Sequence, residues 1–314
     1  MKKKFFIAFI VSLIGFSLLY SNLWKSILSD EPSVAHGDEP GKTEPEDVKK
    51  PKVKDEVLFL LMGVDAEDVK KSKGTRTDTM ILTKVNFDTG KISMLSIPRD
   101  TRVLVKGKED KINHAHAYGG PNLTMDTVED FLHLDLDYYV KVDYKVVMGI
   151  VEAIGGVEID VPFHMKYYDN TAGFPLLDID IKKGNQVLMG KDAHDFLRFR
   201  KGSPGYKGYP EGDIGRIKAQ QYFMKELIKQ TLKPKNLLKL PKLAETYFEN
   251  VETNVPWSVI LKGIASANKI DVDEMVTGTI PGEGKRISGI DYFIYYREET
   301  KQIVLDMFGD YLIN

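Results

Sequence analysis

Val57-Leu58-Phe59-Leu60-Leu61-Met62-Gly63-Val64 is an uninterrupted apolar run that ends at Asp65. A run of this length with a polar boundary is typical of a buried strand. Residues 78–87 and 91–97 predict two further strands, and Asp88-Thr89-Gly90 between them predicts a hairpin turn. The three segments together predict a sheet that contains a buried strand.

Helices and strands alternate through the rest of the chain. Helices are predicted at 121–133, 144–153, 190–199, 213–232, 234–248, 256–268 and 297–307, and strands at 138–142, 157–161, 275–280 and 290–295. We expect the last two strands to close the sheet. The pattern predicts one α/β domain over residues 55–314, an α-β-α layered sandwich with a central mixed sheet.

The N-terminus predicts one transmembrane helix. Lys2, Lys3 and Lys4 precede twenty uncharged residues at 5–24, and about twenty residues span a hydrocarbon core of roughly 30 Å. The lysines are expected to stay in the cytoplasm as a short tail at 1–4, which places the domain outside the cell membrane. The alternative is a cleaved signal peptide, whose apolar region is usually about 7–15 residues.

Residues 25–54 predict a flexible linker. They contain four prolines, charges of both signs and almost nothing apolar, so they cannot bury enough surface to offset their ordering entropy. The chain has no cysteine, which excludes disulfides and thiolate metal sites. Its net charge is −2, and no basic field predicts a nucleic-acid partner.

Arginine is scarce but concentrated. Of 44 basic residues eight are Arg, and six of these lie in short polar segments rich in Asp and Gly. The six are Arg76, Arg99, Arg102, Arg198, Arg200 and Arg216. Since a guanidinium group grips phosphate or carboxylate oxygens through a bidentate fork, the pattern predicts several Arg side chains converging on one polyanion. The alternative is a set of structural ion pairs with neighbouring Asp residues.

Two carboxylates predict a cation site. Asp65 follows the first predicted strand and Asp78 opens the second, and ligands of layered α/β sheets bind beyond strand ends. Mg²⁺ takes one or two protein carboxylates together with phosphate oxygens and water, so the pair is a candidate site for Mg²⁺, with Mn²⁺ as an alternative. Turn formation or strand capping is the other interpretation of each Asp.

The stretch from Asp110 to Gly120 adds further polar groups. Lys111 is a candidate phosphate ligand. His114 and His116 are candidate bases, but their i,i+2 spacing does not place them on one helical face, and Asn113 fits equally well as a helix cap.

The segments around residues 200 and 216 predict a second cationic wall. Arg198 and Arg200 share a face where the chain is extended or where a helix end frays. Arg216 and Gln220 are four residues apart on the helix that Asp213 is expected to cap, so they face together. The positive end of a helix dipole favours phosphate.

These segments resemble, over residues 57–232, the LytR–CpsA–Psr family of membrane-anchored cell-wall enzymes. The matching stretches are Gly63-Val64-Asp65, Arg76-Thr77-Asp78-Thr79-Met80, Ser96-Ile97-Pro98-Arg99-Asp100-Thr101-Arg102, Asp110-Lys111-Ile112-Asn113-His114-Ala115, Thr127-Val128-Glu129, Asp137-Tyr138-Tyr139-Val140, Gly155-Gly156-Val157 and Gly212-Asp213-Ile214-Gly215-Arg216.

The resemblance implies a phosphotransferase that moves an anionic glycopolymer, such as wall teichoic acid or capsular polysaccharide, from a polyprenyl-pyrophosphate carrier to peptidoglycan. The acceptor is typically the C6 hydroxyl of N-acetylmuramic acid, and the lipid tail is expected in an apolar groove of the sandwich. The implied catalytic residues are Arg76, Arg99, Asp100 and Asp213; the implied pyrophosphate ligands are Arg99, Arg102, Lys111, Arg198, Arg200, Arg216 and Gln220; and the implied metal ligands are Asp65 and Asp78.

Two departures concern the acceptor or polymer side of the site. The family usually has Arg-Gln-Gln where this chain has Ala219-Gln220-Gln221, so one cation is missing. The segment from Gly202 to Gly212 is also longer than usual.

Two other classes of function stay open. The same site serves a polyprenyl-pyrophosphate hydrolase if water replaces the sugar hydroxyl. A non-catalytic envelope regulator, a transcriptional attenuator, is the other alternative, although an outward-facing domain without a basic recognition helix argues against contact with DNA. Transfer from a pyrophosphate depends mostly on positioning and on stabilisation by cations. Asp78, Asp100 and Asp213 are the candidates for the group that deprotonates the hydroxyl.

Overall fold

The computed structural model describes residues 55–64, 69–72, 74–171, 176–240, 243 and 251–313. Its strands are β1 (Glu56–Val64), β2 (Thr77–Asn86), β3 (Ile92–Ser96), β4 (Arg102–Val105), β5 (Lys108–Lys111), β6 (Tyr138–Asp143), β7 (Val157–Val161), β8 (Met165–Asp169), β9 (Leu177–Ile181), β10 (Gly184–Leu188), β11 (Glu252–Thr253), β12 (Val276–Thr279), β13 (Gly282–Ile287) and β14 (Ile290–Tyr295). Its α-helices are α1 (His114–Leu132), α2 (Tyr144–Ile154), α3 (Gly190–Arg198), α4 (Asp213–Thr231), α5 (Pro234–Leu237), α6 (Trp257–Ser266) and α7 (Arg297–Phe308).

A six-stranded mixed sheet forms the centre of the fold, in the order β11-β6-β1-β2-β3-β12. Strand β1 is antiparallel to β2 and parallel to β6, and β12 is parallel to β3. The carboxyl ends of β1, β3, β6 and β12 and the amino end of β2 therefore meet at one edge. This mixed α/β fold with a central mixed sheet confirms the predicted class.

Helices cover both faces of the sheet because β1 is apolar throughout. On one face Leu58, Leu60 and Met62 pack with Val128 of α1 and Phe308 of α7. On the other face α4 and α6 supply the apolar cover: Met224 packs against Ile81 and Met94, and Val259 packs against Val57 and Phe87. The uninterrupted apolar run thus has a physical reason, since a strand covered on both sides needs no polar face.

A second apolar core lies beside the sheet. It gathers α2, α3 and α4 around β7, β8, β9 and β10, with Phe196, Phe199 and Phe223 fully buried at its centre. Strands β7 and β10 form one hairpin-like pair and β8 and β9 another. This core fixes where α3 ends and where α4 begins, and both ends carry predicted site residues.

Several predicted elements differ from the structure. Residues 290–295 do form a strand, but it pairs with β13 rather than closing the central sheet. The helix predicted at 121–133 begins earlier, at His114, and is kinked at Gly120 just before Pro121. Strands β4, β5, β8, β9, β10 and β13 were not predicted. Strands β5 and β13 are mostly polar, whereas β4 is largely apolar and β9 alternates apolar and charged residues.

Some predictions fall outside the described residues. The transmembrane span at 5–24, the linker at 25–54, Asp65 and most of the C-terminal half of the helix at 234–248 lie there. Within the part of the chain that the structure describes, no helix has the length and apolar character to cross a membrane.

We expect one added methyl group in the turn between β2 and β3 to lower the free energy of unfolding strongly. Gly90 has φ +74°, and a Cβ there would lie 2.1 Å from the Lys269 carbonyl oxygen, whereas Gly107 has φ +75° with no atom within 4 Å of its Cβ position. We expect Gly107→Ala to cost about 1 kcal/mol from backbone strain alone. Gly90→Ala should cost about 2–4 kcal/mol in denaturant unfolding, because overpacking adds to that strain. Equal losses for the two variants would contradict the packing of this turn.

Candidate functional site

A polar cleft opens at the sheet edge where the carboxyl ends of β1 and β3 meet the amino end of β2. Its volume is about 480 Å³. The lining residues are Thr75, Arg76, Asp78, Arg99, Asp100, Lys111, Asn113, Arg200 and Asp291. Six of the residues selected from the sequence therefore lie together, although they come from four separate stretches of the chain.

A tight turn after β3 carries the centre of the cleft. The Thr101 backbone amide and hydroxyl both donate to the Pro98 carbonyl, at 3.0 and 2.5 Å. The Asn113 amide donates to the Arg99 carbonyl at 3.2 Å, which joins the turn to the start of α1. These bonds hold Arg99 and Asp100 at fixed positions between two neighbouring elements.

Arg99 and its carboxylate partners form the first cluster of charges. Its Nη1 donates to Asp78 Oδ1 at 2.5 Å, and its Nε lies 3.7 Å from Asp100 Oδ2. Asp100 also accepts a hydrogen bond from Lys111 Nζ at 2.8 Å. Burial opposes the charged form of Arg99, but Asp78, Asp213 and Asp100 outweigh it and raise the pKa of the guanidinium group.

Arg216 and Asp213 form the second cluster, on the first turn of α4. Arg216 Nη2 lies 2.7 Å from Asp213 Oδ1, and Arg200 Nη1 lies 4.0 Å from the same oxygen. Arg216 is the more deeply buried, with 11% of its side chain exposed. Burial lowers the pKa of Arg216, and the positive charge of Arg99 lowers it further, although the Asp213 carboxylate acts in the opposite direction. The protein therefore holds two guanidinium groups close enough to repel each other.

Several buried polar atoms at this site have no hydrogen-bond partner among the described residues. They include Nε of both Arg99 and Arg216, and Oδ1 of both Asn113 and Asp213. The contact between Arg216 and Asp213 is short, but it is not aligned as a hydrogen bond. Leaving a buried donor unpaired costs about 1–3 kcal/mol, more for a charged group, so the free Nε–H groups favour an anion in the cleft.

The Thr75–Asp78 wall is held from behind by a buried network. His116, only 1% exposed, shares a hydrogen bond of 2.8 Å with the Thr75 carbonyl through Nδ1. Its Nε2 lies 3.4 Å from Lys141 Nζ, which donates to Ser72 Oγ at 3.0 Å and pairs with Glu252 at 2.5 Å. His116 thus supports the wall and does not line the cleft, and His114 pairs with Asp110 at 2.8 Å outside the lining.

Other predicted residues lie beside the cleft. Arg102 pairs with Glu109 and lies 5.5 Å from the Tyr292 ring centre. Gln220 Nε2 donates to the Leu197 carbonyl at 3.1 Å, and Arg198 is the half-buried last residue of α3. None of the three belongs to the lining residues.

The two departures from the family pattern have local explanations. Ala219 is buried in the second apolar core, so the position has become part of the packing between helices. In the 202–212 segment, the Tyr209 ring packs against Phe163 and Phe199. A Cβ on Gly215 would lie 2.5 Å from Tyr209 Cβ, so glycine is required where the segment crosses the start of α4. The segment thereby holds Arg200 near Asp213.

Sequence reasoning missed Thr75, which lines the cleft, and two further residues, Gln221 and Asp291. Gln221 Nε2 donates to Ser96 Oγ, the Gly278 carbonyl and Thr279 Oγ1, at 2.9, 2.6 and 3.1 Å, and so attaches α4 to the ends of β3 and β12. The neighbouring Gln220 was selected from the sequence instead, and the sequence around the two glutamines does not show which of them faces the sheet. Asp291 lines the cleft from β14, far along the chain, and no pattern around it signals a site.

A metal site is only partly visible. Among the described residues, no group of three or more His, Cys, Asp or Glu side chains is placed to hold a metal ion. Asp78 faces the cleft beside Arg99, and its proposed partner Asp65 lies outside the described residues. Mg²⁺ needs only one or two protein carboxylates when phosphate and water supply its other ligands, so the donor set fits such an ion.

Comparison with known proteins extends the resemblance. The sequence model of the LytR_cpsA_psr family matches residues 26–308. The polyisoprenyl-teichoic acid–peptidoglycan teichoic acid transferase TagU of Bacillus subtilis is 32% identical over 299 residues, which covers 93% of this chain and 91% of TagU. The B. subtilis TagV crystal structure superimposes with a TM-score of 0.68 at 30% identity, over 83% of this chain and 99% of TagV. TagT bound to LIIa-WTA shares the fold, with a TM-score of 0.63 at 24% identity, over 85% of this chain and 96% of TagT.

The His116 network predicts a pH-dependent stability. Burial, reinforced by the Lys141 ammonium group and opposed by the Thr75 carbonyl and Glu252, lowers the pKa of His116 below its ordinary value of 6.5. Below about pH 6.5 the His116 side chain therefore binds a proton more readily in the unfolded chain than in the folded one. The free energy of unfolding is unaffected by His116 above about pH 6.5 and decreases as the pH falls below that value. His116→Gln should lose this dependence. Urea unfolding of both proteins from pH 8 to 5 measures it, and parallel curves would contradict a neutral buried His116.

Proposed function

We propose that this chain, which belongs to the LytR–CpsA–Psr family, is a phosphotransferase that moves an anionic glycopolymer from a polyprenyl-pyrophosphate carrier to peptidoglycan and forms a phosphodiester. One observation carries the proposal: Arg99 and Arg200 line one cleft, Arg216 shares the Asp213 carboxylate with Arg200, and the Nε atoms of Arg99 and Arg216 have no hydrogen-bond partner among the described residues. The names of the relatives, polyisoprenyl-teichoic acid–peptidoglycan teichoic acid transferases, support teichoic acid as the type of polymer.

The cleft binds the pyrophosphate through its cations. The guanidinium forks of Arg99 and Arg216 present paired N–H donors to phosphate oxygens, and Lys111 adds a point charge from the opposite side of Asp100. The anion relieves the repulsion between Arg99 and Arg216 and satisfies their Nε–H groups. Binding and stabilisation of the transition state draw on the same contacts, because negative charge stays on the non-bridging oxygens throughout the transfer.

The carboxylates of the two clusters orient these cations. Asp78 fixes one edge of the Arg99 fork, and Asp100 holds Lys111 beside it. Asp213 lies between Arg200 and Arg216 and keeps both directed at one place. Arg76 is exposed and lines the cleft, and we assign it to the polymer side of the donor.

Asp78 is also the residue that would hold a divalent cation, with Asp65 as its partner. When bound, Mg²⁺ or Mn²⁺ supplies a positive charge that neutralises the leaving lipid phosphate.

The transfer is an in-line displacement at phosphorus. The oxygen of a peptidoglycan hydroxyl forms a bond to the phosphorus nearest the polymer, the bond from that phosphorus to the bridging oxygen breaks, and polyprenyl phosphate leaves. A lipid-linked donor lies in a membrane, and a membrane anchor at residues 5–24 would keep the domain beside it. A linker at 25–54 has a root-mean-square reach of about 30 Å, which keeps the domain near the outer membrane surface.

Product analysis tests the function. The chain is incubated with a polyprenyl-pyrophosphate-linked anionic glycopolymer and peptidoglycan, and mass spectrometry follows the linkage. We expect a phosphodiester between polymer and peptidoglycan together with polyprenyl phosphate. Release of the polymer as a free phosphomonoester, with peptidoglycan present and unmodified, would identify a hydrolase instead.

The Arg99 fork predicts that charge alone does not suffice. Arg99→Lys and Arg99→Ala should both lower transfer about ten- to a hundredfold, because loss of one charge-assisted contact costs roughly 1.5–3 kcal/mol. The exposed Arg297 at the start of α7 provides the matched control, and Arg297→Lys should transfer normally. Full activity of Arg99→Lys, or unfolding of Arg99→Ala with normal activity in the folded fraction, would make Arg99 a structural ion pair.

The cation site predicts a requirement for a divalent metal. Chelation should abolish transfer, and Mg²⁺ should restore it. Asp78→Asn should raise the Mg²⁺ concentration needed for half-maximal transfer at least about tenfold, since a neutral amide is a weaker ligand for a hard cation. Asp88→Asn, an exposed change in the β2–β3 turn, is the control. An Asp78→Asn protein with an unchanged Mg²⁺ titration would remove Asp78 from the metal site.

A further inference from the structure

The β13–β14 hairpin is attached to the turn that carries Arg99 and Asp100. The Phe293 amide donates to the Asp100 carbonyl at 2.8 Å, and a parallel bridge joins Phe293 to Thr101. The Phe293 side chain is 7% exposed and belongs to the main core. Asp291, two residues before Phe293, is consequently held at the cleft by backbone pairing rather than by a flexible loop.

Tyr292 reinforces this attachment from the other side. Its ring lies 5.5 Å from the Arg102 guanidinium carbon and 5.9 Å from Lys111 Nζ. Two cations from the β4–β5 hairpin thus pack over one aromatic ring of β14, an arrangement that is attractive in partly desolvated places. The hairpins form a common wall, and Asp291 stands where that wall reaches the cleft.

The three carboxylates that line the cleft differ in how they are paired. Asp78 is bound to Arg99 at 2.5 Å and Asp100 to Lys111 at 2.8 Å. Asp291 Oδ1 lies 3.8 Å from Arg286 Nη1, and the side chains of Asp291 and Arg286 are 76% and 70% exposed. Such a surface pair is weak. Asp291 therefore has lone pairs available for a substrate proton, whereas Asp78 and Asp100 are engaged with cations.

We propose that Asp291 is a catalytic residue that receives the proton of the acceptor hydroxyl, an assignment that rests on the proposed function. The acceptor oxygen bonds to phosphorus, its proton passes to an Asp291 carboxylate oxygen, and the electron pair of the breaking P–O bond leaves on polyprenyl phosphate. Solvent then removes the proton from the exposed Asp291.

A carboxylate suits this step. The transition state of phosphoryl transfer is loose, so the hydroxyl becomes acidic only as its bond to phosphorus forms, and an aspartate accepts the proton in protein kinases as well. In-line geometry also requires the base and the leaving group on opposite sides of phosphorus. Asp291 reaches the cleft from the hairpin wall, whereas Arg200 reaches it from the segment that follows α3.

Three substitutions test the assignment in the full chain. Asp291→Asn keeps the shape and removes the base, Asp291→Ala leaves room for an added carboxylate, and Glu283→Gln removes an equal charge from an exposed position of the same hairpin. Transfer rates are measured with saturating donor and peptidoglycan. Donor affinity is measured separately with polyprenyl pyrophosphate alone.

We expect kcat for transfer to fall about 10²–10⁴-fold in Asp291→Asn and Asp291→Ala, the range for loss of a positioned base. Affinity for polyprenyl pyrophosphate should stay within twofold, formate should restore part of the activity of Asp291→Ala only, and Glu283→Gln should behave as the wild type. Transfer by Asp291→Asn within twofold of the wild type would overturn the assignment. So would a loss that formate leaves unchanged and that follows weaker donor binding.

Failure of the Asp291 assignment can be distinguished from failure of the proposed transferase function. If the wild type releases the polymer by hydrolysis and never modifies peptidoglycan, the transferase function fails. The role of Asp291 is then read from the hydrolysis rates of the same variants, because water must lose its proton in the same way. Unchanged hydrolysis in Asp291→Asn would reject the assignment on its own.

Discussion

The salt bridge between Arg99 and Asp78 is the contact on which the rest of the cleft depends. It joins the end of β3 to the start of β2 at the open edge of the central sheet. Asp100 and Lys111 extend it toward the β4–β5 hairpin, and Arg216, Asp213 and Arg200 approach it from the helices of the second core. Each neighbouring carboxylate compensates part of the positive charge, yet the burial of Arg216 and the positive charge of Arg99 still lower the pKa of Arg216.

The residues around this contact hold guanidinium groups close together, so that the cleft favours a bound anion. Rigid elements hold the guanidinium groups: Gln221 attaches α4 to the sheet, Tyr209 packs on Gly215, and the buried His116 and Lys141 support the wall that bears Asp78. Because these supports are packed, the arginines cannot simply separate to relieve their repulsion. Preorganised cations of this kind stabilise charge without reorganisation during the reaction, and that property suits transfer from a pyrophosphate.

The sequence predicted those parts of the molecule whose cause is local. An apolar run of eight residues identifies β1. Asp88-Thr89-Gly90 identifies the turn between β2 and β3, because Gly90 has a positive φ and Asn86 Oδ1 accepts hydrogen bonds from the Asp88 and Thr89 amides. The scarcity of arginine identified Arg99, Arg200 and Arg216. The position of Asp291 could not be predicted, since the Phe293–Asp100 hydrogen bond brings it to the cleft from a distant segment. The roles assigned to all of the predicted site residues stay predictions.

A crystal structure of the chain with polyprenyl pyrophosphate tests the central claim most directly. The account predicts that pyrophosphate oxygens lie within about 3.2 Å of guanidinium nitrogens of both Arg99 and Arg216, with the Nε–H groups of both now paired. It also predicts that Asp78 and Asp65 face the same phosphate. A pyrophosphate bound elsewhere on the domain, with Arg99 and Arg216 still paired only to Asp78 and Asp213, would show that these charges are structural and would contradict the account.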